Sequence, residues 1–567
     1  MSTRSTKSGK KNRVKTHPAE IFNPRGPSQS VVDTDIPDRI WLYGVIAILV
    51  IAAILRLYDL SLVPLHHDEG VNGNFLVRLV REGVYKYDPE NYHGPTLYYF
   101  SAIIPWTIRL LFGAETSDTY GLTTFNIRLV TVVFGLATIG LVFTLRKQLG
   151  SLATLAAGLM LAISPGAVYL SRYFIHETLF VFFTLAIVVA AVFFYEERKP
   201  SYLIAGAVSA SLLFATKETA FISAGVLLIA LACTLLYVYL YRRGFAPLPG
   251  KPSRAPGSAG RLRTVLHEMG GTPTVVVTVI LALITFAALW ALFYSSFFQN
   301  SYGINDSFKT FDIWTKTGGV AHVHPPAQYI KWLVKQEGPL LFLGALGAAL
   351  VVLKPKSLLA LFSALWSFGL IAAYSLISYK TPWLLLNFVV PLALIGGYAI
   401  QVIYEMDRRR LRLVSAILLV STSISVYQCI DLNFKNYDND DQYYVYVYAH
   451  TKRNMLDLVK EIDRIAKEES GGTTGISIMS PDYWPLPWYL RNYTRVGYYG
   501  QMAPSTEPMI IANEVQQPEI EANFRDLYQQ VRSKETDGGF ELRPGVRLLL
   551  YERRKNLVPE DLPSITR

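Results

Sequence analysis

The stretch IWLYGVIAILVIAAILRLYDLSLVPLHHDEG, residues 40–70, joins a long apolar run to four consecutive ionisable side chains. Residues 40–58 approach the roughly 20 apolar residues that a membrane-spanning helix needs. Because charged side chains are costly inside the bilayer, the four ionisable residues that follow are expected just outside it: His66, His67, Asp68 and Glu69.

The composition of the whole chain is that of a polytopic membrane protein. Of its 567 residues, 51% are hydrophobic and only 17% are charged, whereas soluble proteins average about 25% charged residues. The net charge of +11 would fit a nucleic-acid-binding protein, but the basic residues gather beside apolar runs, which argues against such a partner. Cys233 and Cys429 lie inside apolar runs, so they are interpreted as packing residues.

About eleven apolar runs predict a mainly α, polytopic helical bundle. The runs are 40–58, 126–146, 151–171, 178–195, 201–216, 219–241, 273–297, 339–353, 357–379, 381–404 and 412–430. A twelfth run, 96–113, decides which loops share a side of the membrane. If this run lies on the outer surface, every inner connection is basic, as the positive-inside rule requires. We therefore expect a multi-pass protein of the cell membrane with a cytoplasmic N-terminus and an extracytoplasmic C-terminal domain.

The chain divides by composition into three regions. A polar, basic tail at 1–38, expected to be disordered and cytoplasmic, precedes a transmembrane domain at 39–430, and an extracytoplasmic α/β domain at 431–567 follows. In the last region, 451–468 has an amphipathic helical pattern, and GISIMS and GVRLLLYERR read as strands. The longer connections predicted within the transmembrane domain are a first external loop with surface helices, a cytoplasmic linker and a later external loop: 59–125, 242–272 and 298–338.

The ionisable residues of the transmembrane domain cluster at the predicted outer ends of the spans. Beyond the first four, the set contains His93, Arg172, His176, Glu177, Lys217, Glu218, His322, His324 and Lys380. Clustering on one face indicates an active site at the outer lipid–water boundary, since a transport path would need charge in mid-span. Each residue could instead be a solvated or snorkelling side chain. The histidines could also bind a metal, although only His322-x-His324 has such a spacing.

Several motifs resemble one group of membrane enzymes. HHDEGVNGNFLVRLVREGVYKYDPENYHGPTLYYF (66–100) is similar to the first external loop of GT-C glycosyltransferases of the protein O-mannosyltransferase and aminoarabinose-transferase type, with His93 where a Lys is usual. SRYFIHETLF (171–180), TKETAF (216–221) and SYKTPWLLLNFVVPLALIGG (378–397) resemble later elements of the same group. With SPDYWPLPWYLR (480–491), the set looks like the flippase-activity-associated family of archaeal N-glycosylation.

The resemblance implies a polyprenyl-phosphate sugar as donor, and therefore three kinds of site residue. Asp68 is implied as the general base. Glu69 is implied as its partner or as a helix cap. Glu177 is implied as a contact to the acceptor or sugar, as a partner of Arg172, or as a second metal ligand beside Asp68. The candidate contacts to the donor phosphate are Arg172, Lys217, Lys380 and His93. The candidate substrate contacts are His66, His67, His176, His322, His324, Trp484 and Trp488. For Trp484 and Trp488 the preferred interpretation is that they anchor the C-terminal domain to the membrane or to its own core.

Three functions follow from this pattern. The first is an inverting glycosyltransferase whose other partners are membrane lipid and an acceptor that is a protein or a glycolipid. The alternative is a lipid-linked-sugar flippase, or its accessory, without transferase activity; such a protein should have mid-span polar residues or broken helices. An oligosaccharide transferase ranks last, because the acid Glu177 stands alone in its loop. No cofactor is certain, and a divalent metal is left open.

Overall fold

The structure, a computed structural model, describes residues 36–554 except 92, 243–267, 318–321, 354, 356, 407–410, 440–442, 535 and 537. Nearly all of the predicted N-terminal tail and of the predicted cytoplasmic linker therefore lies outside the described residues.

Helices stand at every one of the predicted apolar runs. The first half contains α1 (Asp38–Leu57), α2 (His67–Glu82), α3 (Thr96–Phe112), α4 (Thr124–Thr144), α5 (Ser151–Ile163), α6 (Pro165–Ser171), α7 (Glu177–Glu197), α8 (Pro200–Phe214) and α9 (Ala220–Arg242). The second half contains α10 (Thr272–Tyr294), α11 (Tyr302–Thr317), α12 (Gln328–Gln336), α13 (Gly338–Leu353), α14 (Leu358–Leu376), α15 (Leu386–Met406) and α16 (Leu411–Ile430). The predicted membrane bundle is confirmed.

Not all of the predicted spans are single straight helices. Within the described residues, eight helices are long and apolar enough to cross a membrane, and up to ten spans result if each bent pair counts as one. The bent pairs are α5 with α6, at 61°, and α12 with α13, at 112°. The run predicted at 201–216 is the 15-residue helix α8, which is shorter than the roughly 20 residues of an ordinary span.

The described part of the C-terminal region contains the helices α17 (Asn454–Glu468) and α18 (Gln517–Phe524), a single helical turn at Leu486–Tyr489 and one six-stranded sheet. Its strands are β1 (Ile476–Ile478), β2 (Val496–Tyr498), β3 (Met509–Asn513), β4 (Tyr528–Val531), β5 (Phe540–Arg543) and β6 (Val546–Arg553). The order is β2-β1-β3-β6-β4, and β5 also pairs with β6. Strand β1 is parallel to β2 and β3, whereas β6 is antiparallel to its partners. The strands predicted from GISIMS and GVRLLLYERR are β1 and β6.

Both ends of α3 lie at the same end of the bundle as the sheet. At its start, the Thr96 amide donates to the carbonyl of Ala215, which follows α8 (3.2 Å). Just after its end, Asp118 forms an ion pair with Arg81 (2.7 Å), and Arg81 donates to the carbonyl of Arg491, in the C-terminal region (2.8 Å). The turns that carry the candidate site residues meet at this end, which we call the site end of the bundle.

Candidate active site

Helix α2 holds Asp68 in its first turn. His66 is the N-cap, and its Nδ1 accepts a hydrogen bond from the Asp68 amide (3.1 Å). Its Nε2 lies 3.0 Å from the Tyr448 carbonyl, to which only an N–H can donate. These two contacts fix the neutral tautomer with the proton on Nε2, so His66 positions the turn and is already saturated.

The carboxylate of Asp68 is the accessible acid of this cluster. Its side chain is 42% exposed, and its nearest ionisable partner is the Nδ1 of the neutral His66, at 3.9 Å. Among the described residues, no group donates a hydrogen bond to either of its side-chain oxygens. Asp68 is therefore free to accept a proton from a substrate.

Glu69, next in sequence, is in the opposite situation. Its two carboxylate oxygens accept from the guanidinium of Arg128, at 2.7 and 2.6 Å. They also accept from the amides of Phe174 (2.7 Å) and His66 (3.1 Å), and the latter bond completes a capping box. With the Glu69 and Arg128 side chains at 0% and 1% exposure, this arrangement matches the helix-cap interpretation and leaves little capacity for chemistry.

Two further acids, Glu177 and Glu218, are buried, and each is paired with a basic side chain. The Lys217 ammonium contacts the carboxylate of Glu177, and His93 lies 3.0 Å from Glu218. Burial alone would lower the pKa of Lys217, but the charge of Glu177 outweighs it and raises that pKa above its usual value. Burial alone would raise the pKa of Glu218, but His93 beside it lowers that pKa. Lys217 is thus a fixed cation, held by its own carboxylate.

His176 connects the two pairs and is fully buried. Its Nε2 donates to the Gly94 carbonyl (3.0 Å), and its ring lies 4.8 Å from that of His93. Burial, together with the charges of His93 and Lys217, lowers the pKa of His176 well below its usual value. Its Nδ1 has no hydrogen-bond partner among the described residues. His176 is therefore a neutral side chain that ties the segment before α3 to the start of α7.

Tyr379 is a site residue that sequence reasoning missed. Burial raises its pKa to about 12, with Lys217 opposing and Asp68 adding to the rise, so the phenol lies within electrostatic reach of both. It follows α14 in an isolated bridge with Val323. The only signal in the sequence was its position beside Lys380 in the quoted motif YKTPW.

Lys380 and Arg172, two of the candidate phosphate contacts, differ in their surroundings. Lys380 is buried, donates to the Ile377 carbonyl and lies 5.8 Å from the ring centre of Tyr329. No described carboxylate pairs with it, and burial lowers its pKa. Arg172 instead donates to the carbonyls that end α1: Leu55, Arg56, Tyr58 and Asp59. Its guanidinium is therefore committed to structure.

The remaining substrate candidates each contact an aromatic neighbour or are buried. His322 bonds the Tyr448 hydroxyl (2.8 Å), and its carbonyl accepts from the Lys380 amide, while the ring of His324 packs 5.3 Å from that of Trp332. His67 lies 6.0 Å from Trp484, ring to ring. Trp488 is 1% exposed, which agrees with the interpretation that it is an anchor.

The described side chains do not fit a divalent metal. Among them, no group of three or more His, Cys, Asp or Glu residues has metal-binding geometry. Glu177, the partner suggested for Asp68, already pairs with the cation Lys217, whose charge would repel a metal. The involvement of a divalent metal stays a prediction.

The comparisons with known proteins agree on the type of fold. Residues 102–245 match the family described as dolichyl-phosphate-mannose-protein mannosyltransferase. ArnT from Cupriavidus metallidurans, solved bound to undecaprenyl phosphate, is 13% identical with a TM-score of 0.56, covering 91% of this chain and 98% of that one. The archaeal oligosaccharyltransferase AglB from Archaeoglobus fulgidus, solved with an inhibitory peptide and a dolichol-phosphate, is 12% identical with a TM-score of 0.53, covering 93% and 75%. No curated protein matches the sequence.

Proposed function

We propose that this chain, which has the fold of the GT-C superfamily of membrane glycosyltransferases, transfers a sugar from a polyprenyl-phosphate donor to an extracytoplasmic acceptor. The two similar structures hold undecaprenyl phosphate and a dolichol-phosphate, which supports a donor of that chemistry. The observation that carries the proposal is the contrast between Asp68, which is exposed and accepts no hydrogen bond from described residues, and the neighbouring acids Glu69, Glu177 and Glu218, which are buried and paired.

In this proposal Asp68 is the general base. The acceptor hydroxyl oxygen bonds to the anomeric carbon of the donor, while the bond between that carbon and the phosphate oxygen breaks. The hydroxyl proton passes to Asp68, and the electron pair leaves with the polyprenyl phosphate. Lys217, Lys380 and His93 are the proposed contacts to that phosphate, because cationic donors strengthen hydrogen bonds to phosphate oxygens. Tyr379, which lies within electrostatic reach of Asp68 and Lys217, is the proposed orienting residue for the reacting groups.

The proposed orientation puts the site end outside the cell. Arg146 follows the end of α4 and Arg198 follows the end of α7, and both of these ends face away from the site end. Basic residues favour the cytoplasmic side. The N-terminus would then be cytoplasmic and the sheet extracytoplasmic.

One observation favours the second candidate function, a flippase or its accessory. Each bent pair of helices breaks at a polar residue, Ser164 or Glu337, and broken helices are a feature of transporters. Glu337 is buried at its break and accepts from the Ser164 hydroxyl (2.8 Å) and the Gly166 amide (2.9 Å). These hydrogen bonds also give the Glu337 carboxyl a structural role, because they link the two helix breaks.

The two functions separate in one proteoliposome experiment with a radiolabelled polyprenyl-phosphate mannose and a membrane extract as the source of protein and glycolipid acceptors. The wild type is compared with Asp68→Asn and with Asp59→Asn, an exposed acid after α1 that serves as control. We expect the wild type and Asp59→Asn to consume donor, and Asp68→Asn to lose at least the 10²–10⁴-fold that general bases contribute. If a folded Asp68→Asn protein turns over donor at the wild-type rate, the base hypothesis fails. If the wild type moves donor across the vesicle without consuming it, the flippase function replaces transfer. A parallel arm with a chelator tests the metal.

A further inference from the structure

A row of aromatic rings runs from the first turn of α2 onto the sheet. His67, directly before Asp68, lies 6.0 Å from Trp484 between ring centres. Trp484 lies 5.7 Å from Tyr483, and Tyr483 lies 5.1 Å from Tyr498 at the end of β2. We call these four residues the aromatic strip. It begins beside the candidate base and ends on the edge strand of the sheet.

The strip is held firmly against α2. A Cβ atom added to Gly70 would stand 2.5 Å from the Cβ of Pro485, and one added to Gly73 would stand 2.6 Å from the ring of Trp488. Both glycines lie on one face of α2, because residues three apart share a helix face. Their missing side chains let the segment after β1 lie directly on the helix, so the position of Trp484 relative to Asp68 is fixed by backbone packing.

The strip is accessible and has a polar margin. Tyr498 is 38% exposed, and His67, Tyr483 and Trp484 are half-buried. Asp482, which precedes the strip, forms an ion pair with Arg543, and the charges of both act on His67. Flat apolar rings bordered by a carboxylate and a guanidinium are the combination that binds a molecule with an apolar face and a rim of hydroxyl groups.

We propose that the aromatic strip is the acceptor subsite and that it binds a carbohydrate, so that the acceptor is a glycan. The inference rests on the proposed transfer reaction, because the strip is assigned to the acceptor on the ground that it is continuous with Asp68. A sugar ring stacked on Trp484 would lie beside the first turn of α2, with its hydroxyl groups directed towards the carboxylate. Tyr483 and Tyr498 extend the surface away from Asp68 for further sugar units, and Asp482 and Arg543 exchange hydrogen bonds with hydroxyl groups.

A peptide acceptor fits this surface less well. An extended peptide usually adds to an exposed sheet edge through main-chain hydrogen bonds, and the edge strand here, β2, has only three residues. The strip presents ring faces rather than a long row of free main-chain groups. The carbohydrate is therefore favoured, and the peptide becomes an outcome of the test.

The test is binding of a linear mannotriose to the full-length protein in lipid nanodiscs, measured by saturation-transfer NMR without donor. The variants are Trp484→Leu and Tyr498→Leu, which keep apolar bulk but remove the ring. Tyr498 lies at a half-exposed strand end, so its variant tests the strip even if Trp484→Leu unfolds. The control is Tyr302→Ala, since Tyr302 is exposed at 76% and lies outside the strip. We expect the wild type and the control to bind, and each strip variant to bind about five-fold more weakly, the value of one aromatic contact.

The outcomes are distinct from those of the turnover experiment. If the protein consumes donor but does not bind mannotriose, the glycan subsite is overturned and the proposed transfer is unaffected. The same holds if mannotriose binds equally well without the Trp484 and Tyr498 rings. A saturation-transfer signal from an acceptor peptide, with none from mannotriose, also overturns the glycan subsite. Ring-dependent binding by a protein that never consumes donor supports a carbohydrate site and overturns only the proposed reaction.

Discussion

Arg128 and Glu69 form a two-pronged ion pair that is buried at the junction of α4 and α2. The Nε–Oε1 and Nη2–Oε2 distances are 2.7 and 2.6 Å, and Arg128 also donates to the carbonyls of Leu60 and Val63 (2.9 Å each). The pair therefore ties the segment after α1 to the helix that presents Asp68.

Removing either partner of this ion pair should destabilise the protein. Glu69→Gln or Arg128→Met leaves one buried charge uncompensated, so we expect a loss of about 3–5 kcal/mol in the free energy of unfolding. Asp68→Asn, one position away and half-exposed, should stay within about 0.5 kcal/mol of wild type. Thermal unfolding in detergent measures all three variants. Equal melting temperatures for Glu69→Gln and Asp68→Asn would contradict the division of roles between these two acids.

Adding one methyl group should disturb the contact between α2 and the segment that carries the aromatic strip. Gly70→Ala and Gly73→Ala place a Cβ at 2.5 and 2.6 Å from Pro485 and Trp488, and overpacking costs about 1–3 kcal/mol. Gly140→Ala is the matched control, because Gly140 is helical and its Cβ would meet no atom within 4 Å. We expect lower melting temperatures for the first two variants only. A stable Gly70→Ala protein would show that the helix and the segment are not in fixed contact.

Lys217 and Glu177 should behave as a single unit. Glu177→Gln or Lys217→Met alone leaves a buried charge without its partner, whereas the double variant leaves none. The double-mutant cycle on unfolding free energy should therefore give a coupling of about 0.5–3 kcal/mol. Additive losses would mean that the two side chains are not paired in the protein. Exposed Lys199 and Glu197, also an ion pair, provide a control cycle with coupling of at most about 1 kcal/mol.

Mild acid should destabilise the protein in part through His176. Its pKa is held well below 6.5 by burial, so the unfolded chain binds a proton below pH 6.5 that the folded protein excludes. The stability is complete above that pH and is lost as the pH falls, at roughly 1.4 kcal/mol per pH unit for one proton. Melting temperatures at pH 7.5 and 5.5 should differ less for His176→Gln than for wild type. An unchanged difference would assign the acid sensitivity to other groups.

Lys380 should matter for donor binding through its charge. Lys380→Met removes a buried ammonium that has no described carboxylate partner, and a charge-assisted contact to phosphate is worth about 1.5–3 kcal/mol. We expect the KM for donor to rise about ten-fold or more, and Lys380→Arg to retain part of the affinity. Exposed Lys331 in α12 gives the control Lys331→Met. If both methionine variants keep the wild-type KM, Lys380 does not contact the donor.

The sequence predicted the bundle because its signals are local. The length of each apolar run predicts a helix without knowledge of its neighbours, and all eleven runs are helical. The breaks at Ser164 and Glu337 were not predicted, and the hydrogen bond that joins them links residues 173 positions apart. The strands β1 and β6 were predicted from composition, but their pairing through β3 depends on contacts between distant segments.

For the site, the sequence by itself determined which ionisable residues gather at one end of the bundle, because they follow or precede apolar runs whose ends must meet there. Only the tertiary structure decided which carboxylate remains available. Arg128 lies 59 positions from Glu69 and Lys217 lies 40 positions from Glu177, so no local pattern reveals that these acids are paired. Burial makes the pairing obligatory, since an unpaired charge is costly away from water. The Asp68 side chain, at 42% exposure, needs no such partner.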